Sequence, residues 1–135
     1  MLTHTKKTER ISHVEEIELI RVAQGSHPVK AKRALDKLVL ANFGLIHKLV
    51  SKFPMKNASV SHDDLFQEGV AGLIHAIHKF DVKRGYRLST YSYNWINAYV
   101  RRYYQNHSRN VRVPIHISDA QFEINKLIRK LTTEL

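Results

Sequence analysis

SHDDLFQEGVAGLIHAIHKF, residues 61–80, carries two helical patterns on one segment. Ser61 followed by Asp64 forms a capping box, and Leu65, Gly69, Gly72, Leu73, Ala76 and Phe80 then recur at helical spacing to about Phe80. The two glycines on this apolar face let another helix approach closely. Asp64, Gln67, Glu68 and Ala71 fall on a different face. That leaves an acidic, amide-bearing ridge for a partner.

After the loop DVKRGYRL, Ser89 or Thr90 is expected to cap a helix running to about Asn106. Ile96, Tyr99, Val100 and Tyr103 lie on roughly one side of it, and Tyr91, Trp95, Ala98 and Arg102 on another. Both faces carry aromatic rings, and one core buries only one face. From Lys79 to Arg112 there are eight basic residues and one acid, Asp81, so this window holds most of the net charge. It also holds all six tyrosines, the only tryptophan and Phe80. Tyrosines that pack a core and arginines that solvate a helix account for Tyr99, but not for this concentration. Rings beside arginines suit unpaired bases, which stack for about 1–3 kcal/mol each. The implied ligand is single-stranded or locally melted nucleic acid.

Outside this region the pattern is helical as well. Ser12 and Glu15 suggest a capping box followed by Val14, Ile17 and Ile20, with Gly25 placed to stop the helix. A second helix is expected from Pro28 to Phe53, before Pro54, with Ala31, Leu35, Leu38, Asn42, Leu45, Leu49 and Phe53 as its stripe. Asn42 there reads as a core amide with a backbone partner. Pro114 breaks a β-branched stretch, SRNVRVPIHIS, and Ser118 and Asp119 are expected to start a last helix. Repeats are absent, and the sum is an all-α, compact bundle of about five helices.

Composition narrows the function. The chain of 135 residues is 43% hydrophobic, which suits one domain with a real core. There is no apolar run of membrane-span length, and the start MLTHTKKTER lacks a signal-peptide core. Without cysteine there are neither disulfides nor thiolate metal sites, which fits a cytoplasmic protein. Against 12 acids stand 22 Lys and Arg, a net charge of +10, which favours a polyanion, nucleic acid before membrane. His75 and His78 sit one turn apart without a third ligand, so no metal is assigned, and no cofactor is expected. Asp63, Asp64 and Glu68 suit the start of a helix, where its dipole favours acids, better than acid–base chemistry. With no phosphate-binding glycine loop, nucleophile elbow or HExxH, an enzyme is not expected.

DDLFQEGVAGLIHAIHKFDVKRGYRLSTYSYNWI, residues 63–96, followed by RNVRVPIHI, residues 109–117, resembles region 2 and the start of region 3 of the bacterial sigma-70 family. Order and spacing match over roughly residues 30–120, and the preceding helix resembles the end of region 1. The resemblance implies a region 1.2 and 2-like helical domain over residues 1–117, and over 118–135 the first helix of a region 3-like segment or a C-terminal tail. It implies binding to the β′ coiled coil of core RNA polymerase through Asp64, Gln67, Glu68 and Ile74, with Val70 where asparagine is usual.

The same resemblance implies melting of a −10-like promoter element and capture of its non-template strand. Tyr91 would stack on a flipped adenine in a pocket including Phe80 and Arg84, with Tyr86, Ser89 and Thr90 contacting the strand downstream. Trp95 aligns with the second of two tandem tryptophans, and Asn94 replaces the first. Ala98 and Arg101 stand where glutamine and threonine read the upstream edge, which implies a different preferred sequence. Arg102 is offered to the same DNA, Arg109 and Arg112 match residues along the backbone path, and His116 and Asp119 match the pair that touches the extended −10 element.

The function implied is a sigma-like initiation factor in the cytoplasm of a bacterial or phage-infected cell, without catalysis of its own. The size resembles the minimal late sigma factors of T-even-like phages, which lack region 4 and rely on a co-activator and a sliding clamp; LTTEL, residues 131–135, is a weak match to their clamp epitope. A fragment of a longer sigma factor would look the same. The rival readings are a decoy that occupies the sigma site and a polymerase-independent binder of single-stranded nucleic acid.

Overall fold

In the computed structural model, residues 10–55 and 59–134 are described; most of the MLTHTKKTER start and Leu135 of LTTEL lie outside them. The described residues form six α-helices: α1 (His13–Ala23), α2 (Pro28–Ala41), α3 (Phe43–Val50), α4 (His62–Lys79), α5 (Leu88–His107) and α6 (Ile115–Glu134). A short 3-10 turn, Val82–Arg84, lies between α4 and α5. There is no strand among the described residues, and no helix among them is long and apolar enough to cross a membrane.

The capping box of α4 forms in both directions. The Ser61 hydroxyl accepts from the Asp64 N–H at 3.1 Å, and the Asp64 carboxylate accepts from the Ser61 N–H at 3.2 Å. The helix then runs antiparallel to α5, with Leu65, Leu73 and Ile77 of α4 and Leu88, Ile96 and Val100 of α5 fully buried in one core. Both glycines of its inner face sit at contacts where a side chain would not fit. A Cβ on Gly72 would lie 2.9 Å from the Trp95 carbonyl oxygen, and one on Gly69 would lie 2.6 Å from Cγ2 of Ile46. The expected close approach is therefore made to two helices, α5 and α3.

The expected helix over residues 28–53 is two helices instead. Asn42 breaks it at φ −104°, ψ 9°, because its side-chain amide donates to the Leu38 carbonyl at 2.7 Å while its own N–H turns to Val39 at 3.1 Å. The side chain thus takes the acceptor that the Asn42 backbone N–H would use in a continuous helix. Asn42 does have the backbone partner expected of it. The buried stripe passes from Ala34, Leu38 and Val39 of α2 to Ile46, Leu49 and Val50 of α3, which ends before Phe53.

Three other expectations shift. In α1 the Ser12 hydroxyl caps the Glu15 N–H at 3.3 Å as expected, but Val14 is exposed and Glu16, Ile20 and Ala23 face inward. In α5 the N-cap is Arg87, with Ser89 and Thr90 inside the first turn, and the buried stripe is Leu88, Ser92, Ile96 and Val100, so that Tyr99 and Tyr103 flank the core half-buried. And α6 starts directly after Pro114, whose carbonyl accepts from Ile117 and Ser118 at 3.0 and 3.1 Å, so Ser118 and Asp119 lie within the helix rather than at its start. None of its residues is buried.

The α3–α4 connection is pinned to the end of α5. The Tyr104 hydroxyl donates to the Pro54 carbonyl at 2.6 Å, and the Ser59 N–H to the Ser108 carbonyl at 3.0 Å. Partial burial pushes the Tyr104 phenol above its ordinary pKa, so it keeps its donated proton well above neutral pH.

The glycines separate packing from propensity. Gly72→Ala should lower stability by about 1–3 kcal/mol, because backbone atoms would have to move. Gly44→Ala, with nothing within 4 Å of its Cβ position, should raise it by up to about 0.5 kcal/mol. Urea denaturation of the two variants checks this, and equal midpoints would mean that the α4–α5 approach is slack.

Candidate nucleic-acid interface

A row of rings follows the seam between α4 and α5. Tyr86 lies edge-on to Phe80 at 6.0 Å, Phe80 meets Tyr91 at 5.6 Å, and Tyr91 meets Trp95 edge-on at 6.4 Å. Trp95 stacks on His75 of α4 at 4.4 Å, and the Tyr99 hydroxyl hydrogen-bonds the same imidazole at 3.0 Å. Phe80 is only 5% exposed and forms the floor, while Tyr91 and Trp95 are half-buried and Tyr86 is exposed. Rings held on one side and open on the other provide stacking faces at little cost in side-chain entropy. The Lys79 ammonium sits 6.0 Å from the Trp95 ring centre.

The α4–α5 loop adds charge to this row. Asp81 caps the 3-10 turn by accepting from the Lys83 N–H at 3.0 Å and approaches Arg84 at 3.9 Å. Tyr86 and then Asp81 beside it push the Arg84 pKa above its ordinary value, and the guanidinium carries its charge as any arginine does. Gly85 then turns the chain at φ 79°, a conformation that glycine adopts without strain.

Helix α1 holds both ends of that loop. The Gln24 amide donates to the carbonyls of Ile77 and Phe80, each at 2.8 Å, which satisfies the end of α4. At the other end the buried Glu16 carboxylate accepts from the Arg87 guanidinium at 3.0 Å and from the Leu88 N–H at 3.4 Å. This acid therefore occupies the N-terminus of α5, where the helix dipole favours negative charge. It takes the place of the serine or threonine cap expected from the sequence.

Further along α5 the chemistry changes from rings to hydrogen-bonding groups. Asn94, Asn97, Ala98, Arg101, Arg102 and Gln105, with Ile115 and Asp119, line a shallow open groove of about 300 Å³. Arg101 pairs with Asp119 at 3.0 Å, and Gln105 donates to the same carboxylate oxygen at 2.7 Å. Arg109 donates to Gln121 at 2.7 Å. Ser89, Thr90, Arg102, Arg112 and His116 are exposed. Asp119, expected to face DNA, thus has its carboxylate engaged by two residues of α5.

On α4, Gln67 is exposed and Glu68 and Ile74 are half-exposed, so the ridge is open; Asp64 is exposed too but engaged in the capping box. Of the sequence-expected residues, Phe80, Arg84, Tyr86, Tyr91 and Trp95 meet in the ring row and Asn94, Ala98, Arg101, Arg102 and Asp119 in the groove, while the polar ridge lies on α4; Ser89, Thr90, Arg109, Arg112 and His116 are exposed outside both. His75, Asn97 and Gln105 join the ring row and groove without being expected there, and Lys79 enters only as one charge of the basic window. The i, i+4 spacing of His75 and Lys79, on the turn facing Trp95, is a signal by which both could be found. Tyr93, also exposed, stands apart beside the Lys52 ammonium, 3.4 Å from its hydroxyl.

A family profile described as Sigma-70 region 2 matches residues 38–110. RNA polymerase sigma factor SigA4 of Synechococcus elongatus is 40% identical over 104 residues, covering 77% of this chain and 33% of its own length. RNA polymerase sigma factor SigA1 of the same organism is 37% identical over 106 residues, covering 78% and 26%. RNA polymerase sigma factor SigA of Nostoc sp. is 38% identical over 104 residues, covering 77% and 26%. The chain thus spans a quarter to a third of the length of these relatives.

The brace between α1 and α5 is testable by itself. Glu16→Gln should lower stability by about 1–2 kcal/mol, as a buried carboxylate with charged and backbone donors is lost. Glu15→Gln, which removes the exposed pair with Lys37 at 2.6 Å, should cost less than about 1 kcal/mol. Thermal denaturation of both variants checks the order, and a reversed order would mean that Glu16 is not a brace.

Proposed function

The chain belongs to the sigma-70 family, matching it through region 2, and on that premise we propose that it acts as a sigma-like transcription initiation factor. In this reading the α4 ridge of Asp64, Gln67, Glu68 and Ile74 docks on the β′ coiled coil of bacterial core RNA polymerase. The ring row then captures the non-template strand of a −10-like element in the cytoplasm. One observation carries the reading: a row of half-open rings from Tyr86 to Trp95 beside Lys79 and Arg84, on the helix pair that also presents the polar ridge.

The physics of capture follows from that row. A base leaving the duplex loses its stacking and pairing, a few kcal/mol, and regains part of this on an aromatic face. Tyr91 is the ring best placed for it, because Phe80 below and Trp95 beside hold it while one side stays open. Arg84 and Lys79 supply phosphate attraction next to the rings, and Arg102, Arg109 and Arg112 continue it along α5 and beyond. Binding energy alone drives the step, so the protein makes and breaks no covalent bond.

The initiation reading is tested by run-off transcription with purified core polymerase on templates rich in −10-like sequences, with and without an added sliding clamp and co-activator. Specific transcripts are expected, and their absence under every condition would sink the reading. Inhibition of a resident sigma without transcripts would favour the decoy, and DNA binding that ignores polymerase would favour the solitary binder.

Two substitutions separate the faces. Gln67→Ala with Glu68→Ala should abolish polymerase binding while leaving the fold intact, measured by co-elution with core enzyme and far-ultraviolet circular dichroism. Tyr91→Ala should keep polymerase binding and lower open-complex yield roughly ten- to hundred-fold, in line with the loss of one stacked base. Equal loss of both activities in Tyr91→Ala would instead make Tyr91 a core residue.

A further inference from the structure

Resting on the initiation reading, we infer that Arg101, held in place by Asp119, Gln105 and Phe122, selects guanine in the base pair at the duplex edge of the melted element. The argument begins with the change of chemistry along α5. Its first half offers the rings of Tyr91 and Trp95, and its second half offers Asn97, Arg101, Arg102 and Gln105 along a groove. Rings suit unpaired bases, whereas amides and guanidinium groups on one helix face suit the edges of paired bases in a major groove.

Arg101 is restrained before any DNA arrives. One edge of its guanidinium donates to Asp119 at 3.0 Å, and its central carbon lies 4.7 Å from the centre of the Phe122 ring. The same Asp119 oxygen accepts from Gln105 at 2.7 Å, which fixes the carboxylate in turn. Asp119 and Phe122 both come from α6, so the start of that helix sets the aim of a residue on α5. The guanidinium still lines the groove, and its remaining N–H donors form the planar fork that matches two adjacent acceptors. Guanine presents O6 and N7 side by side; adenine replaces one acceptor with an amino group, and cytosine offers an amino donor.

A phosphate contact explains the arrangement less well. Among the described residues Asp119 is the only acid lining the groove, and a carboxylate beside an arginine weakens its attraction for phosphate. Arg102, which lines the same groove, is exposed and has no acid beside it there but the one that Arg101 already engages, so it suits the phosphate role better. Restraint by an acid lowers non-specific attraction and limits the fork to one geometry. That combination favours selectivity over affinity.

The test uses the protein with core RNA polymerase on four templates that differ only in the base pair at the upstream edge of a −10-like element. Open-complex yield should favour guanine on one strand by roughly ten- to hundred-fold. Arg101→Lys keeps the charge and loses the fork, so the ratio of yields between the guanine template and the others, measured within that variant, should fall to near one. Asp119→Asn should narrow the preference through loss of aim, and thermal denaturation of both variants checks that the core is intact. Equal yield on all four templates with the unaltered protein, or a preference that survives Arg101→Lys, would overturn the assignment and leave initiation standing. A uniform drop on all four in Arg101→Lys would also overturn it, in favour of a structural role at the α5–α6 contact, because a phosphate contact keeps its charge in that variant. Open complexes on none would overturn both readings.

Discussion

At Gly72 any side chain would place its Cβ 2.9 Å from the carbonyl oxygen of Trp95, so α4 and α5 meet backbone to backbone. The stacking of His75 on Trp95 at 4.4 Å and the hydrogen bond between Tyr99 and that imidazole both depend on this spacing. Helices pushed apart by a methyl group would open the seam that the ring row crosses. The polar ridge lies on another face of the same α4, so one packing constraint fixes two surfaces of opposite character. One is acidic and amide-bearing, and the other is aromatic and cationic.

A second regularity concerns how the cations are held. Arg84 has Asp81 at 3.9 Å, Arg87 has Glu16 at 3.0 Å and Arg101 has Asp119 at 3.0 Å. Two of these pairs are open to water and add little to stability. Their effect is on direction, since each carboxylate narrows the rotamers of a long side chain near the rings or the groove. The Glu16 pair differs, because a buried acid at the start of α5 also satisfies a backbone N–H. There the same contact braces the fold.

Local chemistry was legible in the sequence, and distant chemistry was not. The Ser61–Asp64 box and the helix start at Pro28 depend on neighbours a few residues away, and both are legible; the glycines of α4 mark a close approach, but not that it is made to both α5 and α3. Asn42 is legible as an amide with a backbone partner, but the break it causes is not, because an apolar stripe looks the same on one helix as on two. The cap of α5 was misassigned because its acid lies 72 residues earlier in the chain. For the candidate site, the resemblance and the clustering of rings with cations marked Phe80, Arg84, Tyr91 and Trp95, which the fold brings together. Gln105 carried no local signal, since only the return of the chain into α6 brings Asp119 beside it.

The two braces from α1 also bear on the order of assembly. Gln24 reaches across 53 and 56 residues to the end of α4, and Glu16 and Arg87 join across 71. The α4–α5 hairpin needs only a short connection to close, whereas α1 must close loops many times longer, with a larger loss of chain entropy. Contacts of that range form more slowly than local ones. Loop-closure entropy therefore favours a nascent chain that pairs α4 with α5 first and acquires the fixed ends of the loop carrying Arg84 and Tyr86 last. In this order the hairpin is a scaffold, and the geometry of the loop carrying Arg84 and Tyr86 is the final thing that folding adds.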